Sequence, residues 1–212
     1  MQRLALASPL IILAILGGSI LIAYALTQSG TPKAVATIPE GATVADINEI
    51  LQEKGILTED LPQNLEGYLF PDTYEFFVPS SREVVLAKFQ ENFDRKVRAI
   101  LPAETSEKNL KEILVKASLV EREVPDPSER RIAAGIMMKR LRDNVPLQMD
   151  ASTCYVKGDP CLPITAEDKL LSSPYNTYRV TGLPPGPIAN PGQDAIAAVI
   201  SPASTPYWFY IS

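Results

Sequence analysis

The stretch from Glu107 to Glu123 (EKNLKEILVKASLVERE) constrains this chain more than any other, because it reads as a helix with no side left for water. Ser106 precedes it as an N-cap, and Pro125 ends it, since the residue before a proline avoids the α conformation. At ~100° per residue, Leu110, Ile113, Leu114, Ala117, Val120 and Val124 form one apolar stripe, while Val115 and Leu119 make the opposite side apolar too. Such a helix belongs inside a domain. Glu121 falls ~20° from Leu110 and Leu114, within the stripe, whereas Glu123 lies ~200° further round, toward Lys116. An inward carboxyl in the last helical turn resists ionisation through desolvation and the helix's negative end, as a general acid requires. The same spacing equally suits a buried ion pair with Arg131 or Arg140 of the next helix, and both readings stand.

Composition narrows the chemistry. No histidine occurs, which removes Ser-His-Asp and Cys-His nucleophiles and every histidine-containing metal site. The work must fall to carboxylates, hydroxyls, amides or lysine, with no metal or organic cofactor expected. Lysine and arginine number 20 against 25 Asp and Glu, a net charge of −5 without a basic block, so no nucleic-acid partner is expected. Cys154 and Cys161 are too few for a zinc site; they read either as a disulfide or as two small buried hydrophobes.

The first thirty residues bear on location. Pro9 to Leu26 carries no charge, and at ~1.5 Å per residue about twenty such residues match a ~30 Å hydrocarbon core. Arg3 before the run and an acidic chain after it place the body outside the cytoplasm. Ala23 to Ala25 (AYA) also fits a signal-peptidase site, so residues 1–30 read as an anchor or a cleaved leader.

Beyond that run, punctuation predicts the elements. Thr43 caps a helix to about Lys54, carrying Val44, Ile47, Ile50 and Leu51, with Gly55 ending it. Residues 65–77, broken by Gly67 and Pro71, read as loop or strand, their aromatics suiting sugar rings or a core. Ser81 caps a helix from about Arg82 to Ala99 with Val85, Phe89, Phe93 and Val97 or Ile100 along one side. Asp126 as N-cap and Pro127 at the first position open another, its inner face made by Ile132, Ala133, Ile136, Met137 and Leu141. Val145 to Tyr155 reads as a loop entering a short strand, putting Gln148, Asp150 and Ser152 on one polar side. A rigid loop over 173–192 leads to a helix from Gly192 to Ile200, and Tyr207 to Ile211 reads as a strand. The fold class expected is α+β.

Four motifs in order then carry a resemblance: LEGYLFPDTY at Leu65–Tyr74, ASLVERE at Ala117–Glu123, LQMD at Leu147–Asp150 with Tyr155, and Tyr175–Tyr178 (YNTY) through TGLPPG to Asn190–Gly192. The chain resembles the YceG-like endolytic murein transglycosylase family over Ile38 to Ile211. The resemblance implies a single-pass inner-membrane protein with its catalytic domain on the extracytoplasmic side. It divides the chain into an anchor (1–30), an abbreviated LysM-like segment (31–60) with one Ile-Pro-Glu-Gly unit, and a transglycosylase domain (61–212). Relatives in that family continue past the point where this sequence stops, with a further strand and a histidine-containing tail.

The family's catalytic glutamate falls on Glu121, and its glycan-binding positions on Gln148, Asp150, Tyr175, Asn176 and Thr177, with Ser152 on the same polar row and Glu66 and Tyr74 as further cleft candidates. The implied substrate is peptidoglycan glycan strands, the implied partners the membrane and peptidoglycan synthases. Cleavage between N-acetylmuramic acid and N-acetylglucosamine would leave 1,6-anhydro ends, and one carboxyl suffices because the nucleophile is the sugar's own C6 hydroxyl. Two rival readings are a hydrolytic muramidase using Glu121 with Asp150 or Asp72, and a non-catalytic glycan-binding scaffold.

Overall fold

Two apolar clusters organise the chain, and one helix serves both. A computed structural model describes residues 32–158, 161 and 163–209. The membrane anchor predicted over 1–30 lies outside the described residues, among which no helix is long and apolar enough to cross a membrane. The described residues from 34 onward form one compact unit.

The first cluster gathers around β1 (Lys33–Thr37), α1 (Val44–Glu53) and β2 (Thr73–Phe77). Thr37 at the end of β1 stands beside Thr73 at the start of β2, their hydroxyls 3.0 Å apart, so the two-stranded sheet is antiparallel. Ala36, Tyr74 and Phe76 point inward from it. Thr43 caps α1 as predicted, in a reciprocal capping box with Asp46. The buried Asn48 side chain takes the Leu61 N–H at 2.8 Å and gives to the Leu61 carbonyl at 3.2 Å, closing the loop after α1. The apolar residues of 36–61 share their core with β2 and with α2 (Arg82–Lys96).

Along α2, Val85 and Phe89 enter this first cluster while Phe93 enters the second. The second surrounds α3 (Glu107–Glu123), against which α4 (Arg130–Arg142), α5 (Asp150–Lys157) and α6 (Gln193–Ile200) all pack. Leu110, Leu114 and Leu119 are fully buried from different sides of α3, each burial contributing about 2 kcal/mol. Ser118, also buried, donates to the Val115 carbonyl and accepts the Ile188 N–H at 3.0 Å, fastening the proline-rich loop to the helix.

Four expectations are corrected. Asp126 does not cap α4; its carboxylate accepts from the Ser128 N–H in a local turn, and the helix starts at Arg130. Of the inner face expected for α4, Ala133, Ile136 and Met137 are buried, joined by Arg130, Ala134 and Arg140, while Ile132 is exposed and Leu141 only partly covered. The strand expected in 145–155 is instead the helix α5. Its polar alternation is broken at Gln148, where φ is +54°, and the Glu123 carboxylate takes the Ala151 N–H at 3.3 Å in the first turn. Finally, residues 207–209 are not a strand. Among the described residues no strand lies beside them, and the backbone of 206–208 is held by side chains of α4, Lys139 bonding the Pro206 carbonyl and Arg140 the Trp208 carbonyl. Residues 210–211 of the expected strand lie outside the described residues. Of the two readings of the cysteines, the bridged one is found: a disulfide joins Cys154 in α5 to Cys161.

Candidate active site

Glu121 is buried, as its place on the helical wheel predicts, with 8% of its surface exposed. Its Oε1 accepts from Arg130 Nη2 at 2.5 Å and its Oε2 from the Gly192 N–H at 2.9 Å, just before α6. The ion pair anticipated with Arg131 or Arg140 is therefore made by Arg130. Arg131 reaches the Ser201 carbonyl instead, and Arg140 the Leu147 carbonyl. Arg130 stands three, four and seven residues before Ala133, Ala134 and Met137, a signal for its inward side that the sequence does carry. Its Nε donates to the Val124 carbonyl; Nη1 is buried without a hydrogen bond, 3.6 Å from the Glu40 carboxylate. Burial raises the pKa of Glu121 above that of an ordinary glutamate; the Gly192 N–H and Arg130 oppose this, and Glu40 and Asp194 add to it.

A groove of about 530 Å³ opens between the start of α1, the 63–66 turn, Arg122 of α3 and Tyr155 of α5, with Ile188 on its wall. That volume is typical of ligand sites. Glu66 lines it, only 5% exposed. Its Oε1 accepts from the Val44 N–H at 3.1 Å and from Asn190 Nδ2 at 3.0 Å. Burial pushes this carboxyl up to about 7, with the Val44 N–H, Arg122 and Asn190 pulling down and Asp46 pushing up. Asn190, fully buried, also takes the Leu69 N–H and gives to the Ala42 carbonyl. It thereby locks together the 38–44 loop, the 65–70 turn and the loop before α6.

Glu121 does not contribute to the groove wall; Arg122 and Ile188 do. Its Cγ lies under Gly41, where a Cβ would come within 3.5 Å of it. Tyr175 rests against Tyr155 of the groove, ring centroids 5.1 Å apart, and its phenol is pushed up by burial and by the charge of Glu66. The remaining candidates meet one another elsewhere. The Ser152 and Thr177 hydroxyls lie 2.8 Å apart, and Thr177 also takes the Met149 N–H. Asn176 donates to the Lys169 and Leu171 carbonyls, Asp150 accepts from the Tyr178 hydroxyl, and the Gln148 side chain is exposed. Together they fasten α5 to the 173–180 loop. Tyr74 lies in the first cluster, its hydroxyl on the Phe70 carbonyl. Asp72 is partly buried, which works against ionisation, yet bonds from Lys96 and Asn92 bring it down to about 2. Sequence reasoning missed Arg122 as part of the groove wall, and the clasp by Arg130 and Gly192.

A small α+β domain with two buried carboxyls of raised pKa, one of them on the wall of a groove, defines a protein built for carboxyl acid–base chemistry or polar ligand binding. The YceG-like family model matches residues 19–212, and the chain belongs to that family. It is 31% identical over 159 residues to a protein of Bacillus subtilis (strain 168) named endolytic murein transglycosylase, covering 74% of this chain and 44% of that one. A Streptococcus pneumoniae (strain ATCC BAA-255 / R6) protein of the same name is 31% identical over 180 residues, covering 78% and 32%. The chain thus spans less than half the length of these curated relatives. Among solved structures, a yceG-like protein of Listeria monocytogenes superposes with a TM-score of 0.77 at 24% identity, over 92% of this chain and 75% of that one, and shares the fold.

Proposed function

We propose that this chain is a lytic transglycosylase that cleaves the N-acetylmuramic acid–N-acetylglucosamine bond of peptidoglycan, with Glu121 as acid and base. The observation that carries it is the buried Glu121 carboxyl, its proton affinity raised by burial and its two oxygens oriented by Arg130 and the Gly192 N–H. The names of the relatives support the substrate class.

In the reaction, Glu121 protonates the glycosidic oxygen as the C1–O bond breaks, leaving an oxocarbenium-like sugar. The C6 hydroxyl then bonds to C1, and its proton returns to the Glu121 carboxylate. The product ends in a 1,6-anhydro ring and no water is consumed. Glu66 stands on the groove wall as a glycan contact, Tyr175 backs the Tyr155 ring of that wall, and Gln148, Asp150, Ser152, Asn176 and Thr177 support the junction of α5 with the loop that carries Tyr175. The 31–60 segment, read as LysM-like, supplies Thr43, Ala45 and Asp46 to the groove wall.

A single-pass anchor at residues 1–30 would hold the domain on the extracytoplasmic face, among nascent strands and peptidoglycan synthases. The Cys154–Cys161 disulfide supports this placement, since such bonds persist outside the reducing cytoplasm. Mass spectrometry of digested glycan tests the reaction. Transglycosylase products are one water lighter than hydrolytic ones. The unmodified chain should yield anhydro ends and Glu121→Gln none, at a loss of at least about a hundredfold. Reducing ends would identify a muramidase; no cleavage by the unmodified chain would leave a glycan-binding scaffold.

A further inference from the structure

Glu66 is the one groove residue whose surroundings the proposed reaction leaves unexplained. It is as buried as a core residue yet forms part of a cavity wall, and no lysine or arginine lies within ion-pair distance of it among the described residues. Both donors that hold it, the Val44 N–H and the Asn190 amide, are neutral, and both converge on Oε1. Oε2 has only a 3.3 Å share of the same Val44 N–H. One oxygen is thus fixed as an acceptor and the other is left over for the groove. Its setting favours the neutral acid.

We propose that Glu66 is a substrate-contacting residue whose Oε2–H donates to the acetamido carbonyl oxygen of an N-acetylhexosamine ring bound between α1 and Tyr155. Sugar hydroxyls both donate and accept, so an ionised carboxylate would serve them as well. A carbonyl only accepts, so a contact with it makes the proton on Glu66 necessary. Ile188, Ala151 and the Tyr155 ring provide apolar surface in the same groove for the acetamido methyl. The inference rests on the glycan substrate of the proposed function. It does not depend on which group cleaves the bond.

The other charged or titratable groups facing Glu66 are Asp46 from α1, Arg122 from α3, Tyr155 from α5 and Tyr175 from the loop. Tyr155 is pushed up to about 12. Binding is measured in the Glu121→Gln protein, where turnover is removed, by titration calorimetry with a peptide-free tetrasaccharide of alternating N-acetylglucosamine and N-acetylmuramic acid. From about pH 6.5 to about pH 8 the dissociation constant should rise roughly tenfold, following the loss of one proton. Adding Glu66→Gln, whose amide donates at every pH, should keep the low-pH affinity and abolish the slope. Glu66→Ala should be flat and weak throughout.

A pH-independent parent, absent binding, or a slope that survives Glu66→Gln would overturn the assignment, the last outcome pointing to another groove group. Failure of the cleavage reading is separable. No anhydro products from the unmodified chain, with the pH-sensitive binding intact, would sink that reading and leave Glu66 in place. Products accompanied by flat binding would do the reverse.

Discussion

Arg130 and Glu121 form a buried ion pair at 2.5 Å, the guanidinium arriving from the first turn of α4 and the carboxylate from the last turn of α3. Their side chains are 5% and 4% exposed. Nine residues apart in sequence, they fix the angle at which the chain turns from one helix into the next. They also hold the candidate catalytic group against the Gly192 N–H.

Removing one partner of such a pair leaves a charge in the interior. Arg130→Met should therefore destabilise the protein by about 3–5 kcal/mol, and Glu121→Gln in the same background should recover part of that loss. Denaturant unfolding of the four proteins in the cycle measures the coupling. A coupling below about 0.5 kcal/mol would show that the contact carries no energy.

Gly67 packs directly against the proline-rich loop. Its φ is +87°, and a Cβ there would sit 2.6 Å from Pro187 Cγ. Gly67→Ala combines backbone strain with overpacking, an expected loss of about 3 kcal/mol. Gly182 shares the φ of +87° but has nothing within 4 Å of its Cβ position, so Gly182→Ala should show the strain alone, about 1 kcal/mol. Equal losses in the two unfolding curves would mean that the 65–70 turn does not press on Pro187.

Thr177 accepts the Met149 N–H at 2.9 Å in a site with almost no solvent access. Thr177→Val orphans that donor and should cost about 1–3 kcal/mol. Because the hydroxyl is turned into the α5–loop contact, glycan affinity of the folded protein should stay within about twofold, given the wild-type-like groove. A large drop in affinity at unchanged melting temperature would return Thr177 to the binding surface.

Stability should depend on pH through Glu66, and the sign follows from its raised pKa. Below its ordinary value of 4.5 both folded and unfolded chains hold the proton; between 4.5 and about 7 only the folded chain does. The contribution is thus complete below 4.5 and lost as pH rises through about 7. Its full size is about 3 kcal/mol. Between about pH 5 and about pH 8 the unmodified protein should lose up to that much more than Glu66→Gln, with all other titrations cancelling in the difference. Parallel pH dependences in calorimetric melts would contradict the burial of an acid at this position.

Local chemistry wrote much of this protein in one dimension. Thr43, Ser81 and Ser106 each cap the helix predicted after them, because a cap bond joins residues only a few positions apart. The double apolar face of 107–123 placed α3 at the centre and Glu121 inside, since helical periodicity by itself fixes which side chains share a side. Elsewhere the outcome rested on partners distant in sequence. Alternation in 148–152 resembled a strand until Thr177 and Glu123 supplied bonds that suit a helix. Tyr207 to Phe209 have strand-forming side chains but no neighbouring strand among the described residues.

The candidate site divides along the same line. That one glutamate points inward follows from counting along a helix; which guanidinium meets it depended on where α4 begins, and that was decided by packing. Glu66 shows nothing unusual in its own neighbourhood of sequence. Its proton is kept by the exclusion of water, against the pull of donors from Val44 and Asn190, 22 and 124 residues away. Desolvation is a property of enclosed space, so only the folded chain decides it.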